Sequence, residues 1–194
     1  MKFIETIKIK KQQLSNIDYH IKRANLTIYD HYNIKFNFEK VIQKILENIK
    51  IIDDDIYKLR IVYDNRDYEY SIEKYILKPI KNFKIVRVED FFYRYKYLNR
   101  KKLDSFYSQR EDYDNIIIAV NDFITDSYYS NLVFEKNNEY FIPDTYLLNG
   151  TKRKYYLDNK IIREKKITIK DLKEFDSIHF INAMIDLNEI VIKI

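Results

Sequence analysis

One glycine in 194 residues limits how this chain can turn. A chain of this length ordinarily carries about a dozen, at roughly 7% usage. Glycine takes positive φ without steric cost, so its near-absence passes that work to Asn and Asp, the next most tolerant types. The chain is therefore expected to turn on asparagine and aspartate. The glycine that remains, Gly150 in LLNGTKR (147–153), must answer some further requirement. The wider skew, rich in Ile, Lys, Asn and Tyr and poor in Gly, Pro and Ala, is what codon bias in an AT-rich genome produces. For that reason the nineteen tyrosines are not read as a functional aromatic surface.

Apolar residues make up 46% of the chain, enough for a folded core in one large or two small domains. With no cysteine there is no disulfide framework, thiolate metal site or cysteine nucleophile, and His20, His31 and His179 are too scattered for a metal cluster. No apolar run approaches the ~20 residues that span a bilayer, and MKFIETIKIKK lacks the apolar core of a signal peptide. A soluble, cytoplasmic protein is expected. The 35 basic residues are interleaved with 30 acidic ones, for a net charge of +5. KIKK (8–11), NRKK (99–102) and REKK (163–166) could touch nucleic acid, but interspersed charge reads more simply as solvated surface.

Periodicity predicts a strand in FIETIKIK, a turn near 11–13, a helix over IDYHIKRANLTIYDHY, and a second over FNFEKVIQKILENIKII. That second helix has Asn37 as its cap and an apolar face of Val41, Ile45, Ile49 and Ile52. A hairpin, YKLRIVYD and YEYSIEKY about NRD, closes a first unit near the proline of LKPIKNF. Strand FKIVRVE opens the second, followed by a helix over 99–111 and strands over 115–144 with turns at NDF and KNNE. A helix start after Gly150, a strand over 160–168, a short helix over 169–175 and terminal strands 177–184 and 188–194 complete it. The class is α/β (α+β), with a smaller unit 1–80 and a larger one 81–194.

Taken singly, Lys96 reads as a surface lysine, Asp126 as an Asx turn, Arg23 as an exposed helical residue and Gly150 as a turn glycine. Their order is more telling. FIETIK (3–8), HIKRA (20–24), KYLNR (96–100), ITDSYYSNLVF (124–134) with YFIPD behind it, LLNGTKR (147–153) and FINAMI (180–185) follow one another along the chain. In that order they resemble the landmarks of the class IV aminotransferases, the two-domain fold-type IV pyridoxal-phosphate enzymes. That family includes branched-chain and D-amino-acid aminotransferases and 4-amino-4-deoxychorismate lyase.

The resemblance implies roles. Lys96, in the larger unit, would carry the pyridoxal phosphate and shuttle the substrate proton, because a desolvated lysine amine is nucleophilic and tunable. Asp126 would keep the pyridine nitrogen protonated. Arg23 would pair with the phosphate, joined by backbone amides of Gly150, Thr151 and Lys152 at a helix start. Asn182 and Ala183 would add phosphate contacts, while Ser130 and Asn131 would touch the phosphate or support it. Thr6 would either assist proton transfer with its hydroxyl or simply face outward as a β-former. Arg100 and Tyr97 are candidate substrate contacts. No metal is implied, and a homodimer is.

Departures accompany the matches. The family has Glu where Asp126 stands, and Ile-Thr where Thr151-Lys152 stand. Its members usually carry some two dozen residues before the FETIR-like strand, which supply a wall of the pocket; this chain begins at that strand and reads as a short form with a truncated small domain. Arg100 in KYLNR and the INAMI segment lean toward the lyase, which yields 4-aminobenzoate and pyruvate in folate biosynthesis. An aminotransferase, a non-catalytic family scaffold and a basic nucleic-acid binder are the alternatives.

Overall fold

Alternation in FIETIKIK makes β1 (Phe3–Lys10), which sends Phe3, Ile7 and Ile9 into a core and turns Ile4, Thr6 and Lys8 to the other face. The computed structural model describes residues 1–49 and 53–194. β1 turns through Lys11 and Gln12, both at positive φ, into β2 (Gln13–Leu14). Helix α1 (Ile17–Tyr32) lies between two left-handed asparagines, Asn16 and Asn33. Helix α2 (Phe38–Asn48) starts as expected at Asn37, whose side chain accepts from the Lys40 amide at 3.0 Å. Its buried face is Phe38, Val41, Ile42 and Ile45. Ile49 is the residue that ends the helix, and Ile52 lies outside the described residues. β3 (Tyr57–Tyr63) and β4 (Tyr68–Lys74) form the expected hairpin, closed by the Arg66 and Asp67 amides on the Asp64 carboxylate. The sheet order is β2-β1-β3-β4. Ala24 and Ile28 of α1 and Phe38 and Ile45 of α2 pack with Phe3, Ile7, Leu59 and Ile61 of the sheet. Each large side chain so buried is worth about 1.5–3 kcal/mol.

The second sheet follows the order β10-β9-β8-β7-β6-β5, with two further strands off that path. β5 (Phe83–Val88) runs parallel to β6 (Asn115–Val120), and α3 (Lys101–Tyr107) with a 3-10 turn at Ser108–Arg110 precedes β6. NIIIAV is buried nearly throughout, as an interior strand requires. Asn121 and Asp122 turn the chain into β7 (Phe123–Ser127), and Asn137 and Asn138 turn β8 (Asn131–Lys136) into β9 (Glu139–Pro143). Paired positive φ values of this kind mark two-residue hairpin turns, normally glycine-rich and here built from amides and carboxylates. Helix α4 (Thr151–Asp158) leads to β10 (Arg163–Lys165), shorter than the strand expected over 160–168. The segment Ile169–Glu174 is a 3-10 helix closed by a Thr168–Asp171 capping box. β11 (Ser177–Ile181) pairs with β8, and β12 (Val191–Lys193) with β11.

The chain forms two compact units, Met1–Ile76 with Tyr95–Asn99, and Leu77–Arg94 with Arg100–Ile194. This differs from the division expected at residue 80 in one consequential respect. Tyr95–Asn99 packs with the first unit, so Lys96 belongs to the smaller unit rather than the larger. The cause is pairing along β1: the Ile4 amide donates to the Lys96 carbonyl and the Leu98 amide to the Lys2 carbonyl, each at 2.9 Å.

Candidate active site

In the second unit the arrangement is built on Asp126. Its carboxyl is buried, and both oxygens are held. Asn131 Nδ2 donates to Oδ1 and the Leu148 amide donates to Oδ2, each at 2.9 Å. The β7–β8 register sets Asp126 directly opposite Asn131. Burial pushes the Asp126 carboxyl up to about 7, against the opposing pull of these hydrogen bonds and of the Arg153 charge. A carboxyl so raised has a strong affinity for a proton or for a cationic N–H brought beside it.

Asn131 reaches further. The same Nδ2 donates to the Leu148 carbonyl at 3.0 Å, and its Oδ1 lies against Gly150. A Cβ on Gly150 would fall inside the van der Waals envelope of that oxygen and 3.3 Å from Asn131 Cγ. The glycine's φ of −64° and ψ of 146° are open to any residue, so its conformation does not require glycine. Close approach of Asn131 does. The first bond inside α4 is from the Lys154 amide to the Gly150 carbonyl, at 2.9 Å. The amides before it lie in the first turn, where an anion is favoured by the helix dipole.

The residues after Gly150 are buried, and their side chains serve the unit itself. Lys152 pairs with Asp186 beside the Tyr156 ring. Arg153 donates to the Pro143 carbonyl at 3.2 Å and to Glu164 at 2.5 Å, and stacks on Tyr146. Ser130 Oγ accepts from Asn182 Nδ2 at 3.1 Å, and Asn182 Oδ1 in turn accepts from the Met184 and Ile185 amides. Ala183, half-buried, follows Asn182 in that turn. Arg100 lies over the Tyr128 ring at 4.4 Å and donates to the Tyr128 carbonyl, which ties α3 to the turn joining Asp126 and Asn131. As found, its guanidinium organises that turn.

In the first unit Phe3 pairs antiparallel with Tyr97, and the Ile4 amide bond to the Lys96 carbonyl sets Lys96 beside β1, where its charge is felt by the His20 ring. Thr6 is half-buried on the face of β1 that carries Ile4, opposite Arg60 of β3. Tyr97 lines a depression of about 580 Å³ with Met1, Lys2, Leu98 and Asn99. Its ring packs on Phe3 and its hydroxyl donates to His31 Nε2 at 3.4 Å, because His31 Nδ1 serves the Thr27 carbonyl.

Arg23 forms a two-pronged pair with Glu5: Nε to Oε1 at 2.8 Å and an Nη to Oε2 at 2.6 Å. His20 Nδ1 meets the same Oε2 at 2.5 Å. Burial alone would raise the Glu5 carboxyl, but Arg23 and His20 outweigh it and hold the group down to about 2. An ionised carboxylate only accepts, so the His20 proton sits on Nδ1. Burial lowers the proton affinity of the His20 ring, which Glu5 only partly restores. Glu5, His20 and Arg153 were absent from the sequence-derived set. Glu5 had a signal: it occupies the inward register Phe3, Glu5, Ile7, Ile9, where an unpaired charge is too costly to bury.

Among the described residues no group of His, Cys, Asp and Glu could hold a metal ion, and no helix is long and apolar enough to cross a membrane.

The family described as amino-transferase class IV matches residues 2–191. A Haemophilus influenzae protein described only as uncharacterized is 38% identical over 89 residues, which are 46% of this chain and 47% of that one. That match spans about half the length of the curated relative. Among solved structures, a Haemophilus somnus 129PT protein provisionally called a 4-amino-4-deoxychorismate lyase is 32% identical. It superposes with a TM-score of 0.88 over 96% of this chain and 97% of that one. A Mesorhizobium loti protein provisionally called an amino-acid aminotransferase has a TM-score of 0.79 at 18% identity, covering 99% and 98% of the two chains. An aminotransferase from Brucella abortus bound to the cofactor PLP has 0.73 at 15%, covering 100% and 80%. At these identities the last two establish likeness of fold.

Proposed function

The chain belongs to the class IV aminotransferase family, and on that footing we propose that it is a pyridoxal-5'-phosphate-dependent 4-amino-4-deoxychorismate lyase forming 4-aminobenzoate and pyruvate. What supports the cofactor is Asp126, a buried carboxyl with raised proton affinity that accepts from Asn131, whose side chain lies against the glycine before α4. The lyase rests on 32% identity, across nearly the whole of both chains, to the Haemophilus somnus protein of that provisional name.

The residues fit the group chemically. In the first unit Lys96 would be the amine for an aldehyde and Arg23 a donor for a phosphate; in the second Asp126 would be the acceptor for a protonated ring nitrogen and the first amides of α4 would be donors for a phosphate. Bound pyridoxal phosphate supplies an electron sink for the pair released when a substrate C–H bond breaks. Lys96 Nζ would remove that proton and deliver it to the departing enolpyruvyl group, which leaves as pyruvate as its C–O bond to the ring breaks and the ring becomes aromatic. Asp126 would hold the proton on the ring nitrogen of the cofactor, gaining the cationic partner that its burial leaves wanting. Thr6 Oγ1 assists proton movement near the amine, and Ser130 and Asn182 steady the turn between β7 and β8. The proposal includes a homodimer in the cytoplasm.

Purified protein mixed with pyridoxal phosphate is expected to develop a visible absorption band that borohydride bleaches and that Lys96→Ala lacks. Protein that stays colourless overturns the cofactor reading. Release of 4-aminobenzoate from 4-amino-4-deoxychorismate is expected. Turnover of amino acids with 2-oxoglutarate alone would instead make the protein an aminotransferase.

A further inference from the structure

Glu5 stands out because a fully enclosed carboxylate seldom adds stability, even when paired. An apolar pair of the same volume usually packs at least as well as a buried ion pair. Its retention points to orientation. The pairing with Arg23 uses both carboxylate oxygens, Nε and one Nη, which fixes the guanidinium plane as well as its position. His20, three residues before Arg23 on the same face of α1, closes the second bond of Oε2. The Thr27 hydroxyl donates to the Arg23 carbonyl at 2.8 Å, one turn further along. Glu5 is thereby held from two sides by α1, while β1 and its neighbour β3 fix its backbone.

We propose that Glu5 is a positioning residue for Arg23, orienting its guanidinium for the phosphate of a phosphorylated pyridine cofactor. The proposal rests on the reading, given above, that Arg23 serves that phosphate. In metal sites, outer residues that orient a ligating side chain carry about ten- to a hundredfold of affinity, and the same order is expected for an oriented guanidinium. The loss on removing Glu5 should fall on the phosphate alone. Pyridoxal, which lacks it, is the natural comparison.

The test is equilibrium binding of pyridoxal phosphate and of pyridoxal to the full chain and to Glu5→Gln, Glu5→Asp, Arg23→Met and Glu5→Gln/Arg23→Met. Glu5→Gln is expected to weaken pyridoxal phosphate about ten- to a hundredfold and to leave pyridoxal unchanged. Arg23→Met is expected to do the same, and the double variant no more than either. Glu5→Asp keeps the charge but withdraws it by one methylene, and should show the same selective loss in smaller size. Equal loss of both ligands, from Gln or Asp, makes Glu5 merely structural and overturns the proposal. A selective loss in Arg23→Met with none in the Glu5 variants overturns the proposal while sparing the phosphate reading of Arg23. No selective loss in Arg23→Met ends both. Binding of neither ligand by the unaltered chain ends the cofactor reading itself.

Discussion

Replacing Gly150 by alanine adds a single methyl at a backbone conformation alanine readily adopts, with φ −64° and ψ 146°. Judged from the backbone alone, the change should stabilise the chain by about 0.4–1 kcal/mol through the unfolded state. The methyl, however, collides with Asn131 Oδ1. Asn131 cannot yield without losing its bonds to Asp126 and to the Leu148 carbonyl, at 2.9 and 3.0 Å. A bond to a charged partner is worth about 1.5–3 kcal/mol and a neutral one about 0.5–1.5. Less the unfolded-state gain, Gly150→Ala should cost about 1–4 kcal/mol. Asn131→Ala removes the same two bonds and should cost a similar amount. It also removes the obstacle, so Gly150→Ala made in that background should show only the unfolded-state gain of about 0.4–1 kcal/mol. Urea unfolding of all four proteins without added ligand forms a double-mutant cycle, with an expected coupling of about 2–4.5 kcal/mol, the worth of the two bonds. Simple additivity would refute the reasoning and would mean that glycine is kept at 150 for something other than Asn131.

Two further outcomes follow from the buried and capping groups. Asp126 has its folded value raised from 3.8 to about 7, so its contribution is full below about pH 4 and is lost as pH rises to about 7. The loss is at most about 4 kcal/mol, and Asp126→Asn should flatten the stability profile of the ligand-free protein over that interval; parallel profiles would sink the assignment. Asn37→Ala removes the acceptor for the Lys40 amide and should cost about 1 kcal/mol, read as a lower urea midpoint at unchanged slope.

How much of this was legible in the sequence depends on the range of the interaction. β1, α1 and α2 follow from periodicity, and the Asn37 cap from its position before an apolar face. The β6–β7 and β8–β9 hairpins follow from Asn-Asp and Asn-Asn pairs standing where glycine is usual. Eight of the twelve non-glycine residues at positive φ, among those described, are Asn or Asp. Asp126, Asn131 and Gly150 were legible as positions through the family resemblance. Their mutual geometry was not, since it depends on Leu148 and on a contact between residues nineteen apart. Likewise Glu5 meets His20 and Arg23 across fifteen and eighteen residues, and no local pattern reports such a partner. The return of Tyr95–Asn99 to β1 left no periodic trace, because the pairing is too short to generate one. REK alone stays in register with β9, at Phe141–Pro143, which is why the expected strand over 160–168 shrinks to three residues.

The pairing of Tyr95–Asn99 with β1 also bears on modularity. The chain passes between its two units three times, after Ile76, after Arg94 and after Asn99. A fragment ending at Ile76 would lack Tyr95 and Tyr97, whose rings cover His31 and Phe3, and would lack Lys96 altogether. No single cut yields the first unit whole, and no simple end-to-end fusion could assemble or exchange it. The lysine is thus stitched into a unit that the gene can inherit only together with the second, so the two must vary as one piece.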